Sequence, residues 1–313
     1  MTGTIVPDQS STTEKDCSDL KKAMKGFGTD EKKIIDILSN RTLQQRLDIC
    51  FNYKKMYGKS LKRELQSELS SLLLKLTKSL IQPLPQLLAK EANRAIGTCN
   101  PRSLIEIVTG MSNDEIYQMK RYYKEKFNVT IERDLGQMMK VSSNFKKLAQ
   151  VILQGTRNES PIIDDHLALQ DARELYIAGV DRFGTEDPVF NQLLATRSYK
   201  HLKVVFEKYR MENYEDIGEC IRSEMMGEAQ EVYLTVVNMI RTPTAHLAEA
   251  LLKIMKGVGT DDEELIKIVV WRSEIDLKEI KEDFSRLNEK TLTEYIKSDT
   301  SGDYRSLLLA IVK

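Results

Sequence analysis

Proline is scarce in this 313-residue chain, seven in all, and no run of alternating apolar and polar residues offers a strand in its place. An all-β architecture is therefore excluded. No apolar run approaches the roughly 18–20 residues of a membrane-spanning helix. The opening MTGTIVPDQSSTTEKD has neither a basic cluster followed by an apolar stretch nor a Met-Gly start, so no signal peptide or myristoyl anchor is expected. Neither sign of charge prevails, with 47 Lys+Arg against 47 Asp+Glu. Without a basic excess, nucleic acid and a plain polybasic membrane anchor are poor partners. Four scattered cysteines (Cys17, Cys50, Cys99, Cys220), none in a CxxC pair, read as reduced thiols of a cytoplasmic protein. His166, His201 and His246 lie too far apart for HExxH, and GxSxG is absent. No enzyme is expected.

What is present is helical periodicity, almost everywhere. Ile34, Ile35, Ile37 and Leu38 are followed by Leu43, Leu47 and Cys50, then by Leu61, Leu65 and Leu69, at the three- and four-residue steps of helices buried on one side. The fold class is all-α. A glycine-threonine corner recurs at Gly28, Gly97, Gly184 and Gly259, and thirteen residues further on an arginine recurs as Arg41, Arg197 and Arg272. These mark four units of roughly 70 residues. The expected boundaries are a Ser/Thr-rich, mobile tail at 1–11, units at 12–83, 84–155, 168–240 and 241–313, and a polar linker at 156–167.

The corner has two readings. Glycine suits a helix C-terminus, and Thr followed by acids suits the next N-cap, with TDDE at 260–263 reading as a capping box. Yet forty residues beyond the corner glycine stand Glu68, Glu224 and Asp299, all acidic. Calcium takes six to eight oxygens, from backbone carbonyls and carboxylates among others. A glycine-rich loop can turn carbonyls toward one point, and a distant carboxylate can close one side of the ion. The open side would bridge to a phosphate and so hold a neutral protein on an anionic membrane.

Four such units, the strings MKGFGT and MKGVGT, and segments such as WRSEIDLKEI and KSDTSGDYRSLLLAIVK closely resemble the annexin family, over residues ~12 to 313. The resemblance implies five helices per unit in a right-handed superhelix, four units in a curved disc, and calcium loops facing acidic phospholipid. It implies a first site from carbonyls of Met24, Gly26 and Gly28 with Glu68, and a fourth from Met255, Gly257 and Gly259 with Asp299. The third resembles the variant annexin loop, with Gly179, Arg182 and Gly184 joining Glu224. Secondary sites would pair Thr29 with Glu31 and Thr260 with Asp262. Lys25, Phe27, Phe183, Lys256 and Val258 at the loop tips are candidates for membrane contact.

The second unit departs from this pattern. Ala95 replaces the first glycine, Asn-Pro-Arg replaces the acids, and Gln137 stands where the distant acid is due, so no calcium of the usual kind is expected there. The function expected is calcium-dependent peripheral binding to acidic phospholipid, by a cytoplasmic and membrane-peripheral protein that could also occur outside the cell. The alternative is a helical-repeat scaffold for protein interaction or membrane linking, with self-association or a partner on the tail.

Overall fold

Apolar residues at helical spacing bury one face of each segment, and the chain folds accordingly. The computed structural model describes residues 2–26, 28–69, 71–180, 188–256 and 259–313. Among these, every regular element is an α-helix, twenty in number, as the periodicity predicts. The first five are α1 (Thr13–Ala23), α2 (Glu31–Ser39), α3 (Leu43–Tyr57), α4 (Leu61–Glu68) and α5 (Ser71–Leu80). Next come α6 (Leu84–Gly97), α7 (Pro101–Thr109), α8 (Asn113–Phe127), α9 (Ile131–Gln137) and α10 (Ser143–Ile152). The third set is α11 (Asp165–Val180), α12 (Pro188–Thr196), α13 (Tyr199–Asn213), α14 (Ile217–Glu224) and α15 (Gly227–Arg241). The last is α16 (Pro243–Met255), α17 (Asp262–Arg272), α18 (Leu277–Leu287), α19 (Leu292–Asp299) and α20 (Gly302–Val312).

The helices form two compact units. Unit 1 is Met1–Leu87 with Thr244–Lys313, and unit 2 is Leu88–Pro243. In unit 1, α5 packs on α17 and α20, and α2 packs on α20. In unit 2, α7 packs on α15 and α10 on α12. Trp271 is buried in α17.

The recurring arginines have a structural role. Arg41 makes a two-pronged bond to Asp16 (2.6 and 2.9 Å) and Arg197 does the same to Asp171 (2.7 and 2.9 Å). Arg272 clamps Asp276, four residues on in its own chain segment. Each fork gives the carboxylate two charge-assisted bonds, the pairing that lets such a charge pair survive burial. Met111, standing in the second set where the others have arginine, is simply buried.

Residues 2–8 are not a mobile tail. The amides of Thr4 and Ile5 donate to the Ser273 carbonyl (2.8 and 3.0 Å), and the Lys278 amide donates to the Thr2 carbonyl (3.3 Å). Asp8 continues the strap to Arg41 and Gln45. A Cβ on Gly3 would fall 2.5 Å from both Glu274 Cα and the Ser273 oxygen, so this close approach requires glycine. The linker is held as well. Arg157 donates to the Arg197 carbonyl (2.6 Å) and stacks on Tyr199, and the Asn158 amide reaches the Thr196 carbonyl (2.7 Å).

Candidate functional site

The corner between α1 and α2 is drawn closed by one bond, from the Asp30 amide to the Ala23 carbonyl (2.9 Å). Between these ends Gly26 (φ 114°) and Gly28 (φ 89°) take backbone conformations that side chains disfavour. Among the described residues, no backbone amide takes the carbonyl of Met24, Gly26 or Gly28. Asp30, not Thr29, caps α2 by accepting from the Lys33 amide (3.0 Å). The Thr29 hydroxyl is thereby released, and it donates to Glu68 Oε2 (2.8 Å).

The fourth set repeats the closing bond and the cap. Gly259 has φ 87°, the Asp261 amide points to the Ile254 carbonyl (3.4 Å), and Asp261 caps α17 on the Glu264 amide (3.1 Å). The capping box expected at 260–263 does not form: the cap is Asp261, one residue later, and its side chain accepts from the third helical amide, that of Glu264. The Thr260 carbonyl accepts from the Asp262 amide (3.0 Å). Met255 is buried, Lys25 and Lys256 are exposed, and Glu31 and Asp262 are half-buried in the first turns of α2 and α17.

The three distant acids share one placement. Glu68, Glu224 and Asp299 are the exposed last residues of α4, α14 and α19, and the next residue turns extended in each case (ψ 149°, 153° and 170°). Gly179 lies in the last turn of α11. Phe27, Arg182, Phe183, Gly184, Gly257 and Val258 lie outside the described residues. Among those described, no three of His, Cys, Asp or Glu converge to hold a metal by side chains alone.

In the second set the corner is absent. Helix α6 runs through Ala95 and Ile96 to Gly97, enclosing the positions that correspond to Met24, Gly26 and Gly28. The Ala95 carbonyl is taken by the Asn100 amide (2.8 Å), the Arg94 carbonyl by Thr98 (2.9 Å), and Ile96 is buried. Gln137 ends α9 where the other sets have an acid. Alanine favours the helix where glycine would break it, so the helix continues.

Two clefts adjoin the unit 1 corners. One, of about 850 Å³, holds Met24, Gly26 and Glu68 together with Lys21, Lys25, Lys54, Lys59 and Arg63. Lys21 pairs with Glu64 (2.8 Å) and Lys59 approaches it (3.6 Å). Burial raises the Glu64 pKa, but Lys21, Tyr53 and Lys59 outweigh this and hold the carboxyl below its ordinary value. The sequence reading named Lys25 but missed the other four cations, which are far apart along the chain. The signal was a charge difference between units, since the corresponding residues of the fourth are Leu252, Lys256, Ser285, Lys290 and Glu294. The second cleft, about 360 Å³, brings Glu31, Glu68, Asp262 and Asp299 to one opening with Asp303 and Tyr304.

The family model described as Annexin matches residues 15–80, 170–236 and 246–311. The chain belongs to the annexin family. The three annexin matches coincide with the sets that end their fourth helix on an acid. Mouse annexin A13 is 40% identical over 302 residues, which cover 96% of this chain and 94% of that protein. The solved structure of annexin III superposes with a TM-score of 0.93 at 36% identity, covering 100% of this chain and 97% of that one. Calcium-bound annexin (Sm)1 gives 0.91 at 29% identity, covering 99% and 92%. Annexins bind phospholipid in a calcium-dependent way and are generally not enzymes. No helix among the described residues is long and apolar enough to cross a membrane.

Proposed function

We propose that this annexin binds acidic phospholipid peripherally by a calcium bridge at three corners. In the first, the carbonyls of Met24, Gly26 and Gly28 would hold the ion with the Glu68 carboxylate. In the fourth, Met255, Gly257 and Gly259 would act with Asp299, and in the third Gly179, Arg182 and Gly184 with Glu224. Secondary sites would use Thr29 with Glu31 and Thr260 with Asp262. Bound calcium supplies a hard positive charge whose remaining positions accept lipid phosphoryl or carboxylate oxygens.

The single observation that supports this most strongly is the Thr29–Glu68 bond, which draws the distant carboxylate to a corner whose carbonyls take no backbone amide among the described residues. Fit to a hard cation follows from that donor set: neutral oxygens from a glycine loop and one exposed carboxylate. The lysines and Arg63 of the neighbouring cleft add attraction for an anionic headgroup. The committed carbonyls of the second repeat support three corners, not four.

The test is co-sedimentation with phosphatidylserine vesicles, in calcium and in chelator, using wild type and a Glu68→Gln, Glu224→Gln, Asp299→Asn triple variant. Binding that requires calcium and is lost in the folded triple variant is the expected result. Calcium-independent binding, or a triple variant that binds like wild type, would remove the bridge.

A further inference from the structure

We propose that unit 2 makes an additional, apolar contact with lipid, through Met139 and Met226 entering the boundary between headgroups and acyl chains. The proposal rests on the reading that the loops after the fourth helices face lipid. Methionine is among the residue types most often buried, yet Met139 is 72% exposed and Met226 is 86% exposed. Both stand two residues beyond the end of a fourth helix, Met139 after Gln137 and Met226 after Glu224. The corresponding residues in the first and fourth repeats are Ser70 and Ser301. The apolar tips therefore belong to unit 2 alone.

The two loops are joined. The amide and hydroxyl of Ser142, three residues past Met139, both donate to the Glu228 carboxylate (2.9 and 3.0 Å), two residues past Met226. Beneath the first tip, Met138 is buried, and Lys140 holds the loop in a left-handed turn (φ 59°). The backbone is thus set before any contact is made, which lowers the ordering cost of binding. Methionine side chains stay flexible and adapt to an irregular apolar surface.

An anionic bilayer is the occupant these features favour over a second protein. Met226 lies two residues beyond Glu224, the distant acid of the third proposed site, and exposed Lys140 beside Met139 complements negative lipid. On this reading the second repeat keeps a place on the membrane without a calcium corner, by a wedge of two thioethers shared with its neighbour.

The experiment compares the full-length wild type with a Met139→Ser, Met226→Ser variant on phosphatidylserine/phosphatidylcholine vesicles at saturating calcium. Partition should fall about tenfold, the scale of withdrawing two partly buried apolar side chains from an interface, and the ratio should persist at higher salt. In parallel, Met139→Trp and Met226→Trp chains are read by quenching from brominated acyl chains, with buried Trp271 of the wild type as background. Calcium-dependent quenching at both positions is expected. Equal partition of the double serine variant, or no quenching, would overturn the inference while leaving the calcium bridge intact. A wild type that ignores vesicles in calcium overturns both. A variant altered only in self-association without vesicles would assign the patch to a second copy and sink the lipid reading.

Discussion

Thr29 donates its hydroxyl to Oε2 of Glu68 over 2.8 Å, joining the corner after α1 to the last residue of α4. The bond fixes the direction of the carboxylate, and among the described residues no hydrogen bond engages Oε1. Thr29→Val keeps the shape and deletes the donor. A bond of this kind contributes about 0.5–1.5 kcal/mol, so the calcium needed for half-maximal vesicle binding should rise about two- to tenfold, with unfolding unchanged. A calcium requirement equal to wild type would show that the hydroxyl does not position Glu68.

Restoring the missing acid in the second repeat should not restore a site. Gln137→Glu supplies the carboxylate, but the Ala95 carbonyl remains committed to the Asn100 amide inside an unbroken α6. Isothermal titration should count the same number of calcium ions in variant and wild type. An added ion would mean that the acid alone decides occupancy.

Asp276 is fully buried and accepts the Arg272 fork. Asp276→Ala strands a guanidinium in the interior, and removing one partner of such a pair costs about 3–5 kcal/mol. Urea unfolding should show that loss. A change below about 1 kcal/mol, the scale of an exposed pair, would mean that water reaches Arg272.

Acidification should weaken the start of α19. Glu294 accepts from the Thr291 amide (2.7 Å) and hydroxyl (2.8 Å). The amide first, then the hydroxyl, hold its carboxyl below the ordinary glutamate value. A depressed folded pKa means that the unfolded chain binds the proton more readily. The contribution is present above the ordinary value and disappears as pH falls through the folded one. Urea midpoints measured from about pH 6 to about pH 3 should fall less steeply for Glu294→Gln than for wild type. Parallel curves would mean that the capping box does not sense pH.

Gly3→Ala places a methyl group against Glu274 and Ser273, where no space exists. Residues 2–8 should detach and be trimmed faster in limited proteolysis than in wild type. Equal trimming would show that the strap tolerates the added group.

Much of this was legible in the sequence, for identifiable reasons. Helical class followed from the spacing of Ile34 to Leu69, and the departure of the second repeat from Ala95 and Gln137, whereas the corner read at Gly97 is replaced by the unbroken α6. The constant forty-residue offset proved to be the distance from corner glycine to the end of a fourth helix. Two points were hidden because competing residues had equal local merit. Thr29 and Asp30 are both good caps, and only the position of Glu68 decides which is released. The tail looked mobile because its partner, Ser273, lies 269 residues away from Thr4. The cations of the large cleft come from α1, α3, α4 and the turns after α1 and α3, and meet only after folding.

The strap also bears on how the chain is made. Its partners Ser273 and Lys278 belong to the last stretch of sequence, and the whole of unit 2 is synthesised in between. At the usual ~5–20 residues per second, the amino end leaves the ribosome on the order of ten seconds or more before its docking surface exists. Unit 1 is therefore completed last although it is begun first, and a nascent chain stalled anywhere within unit 2 carries an orphaned first repeat.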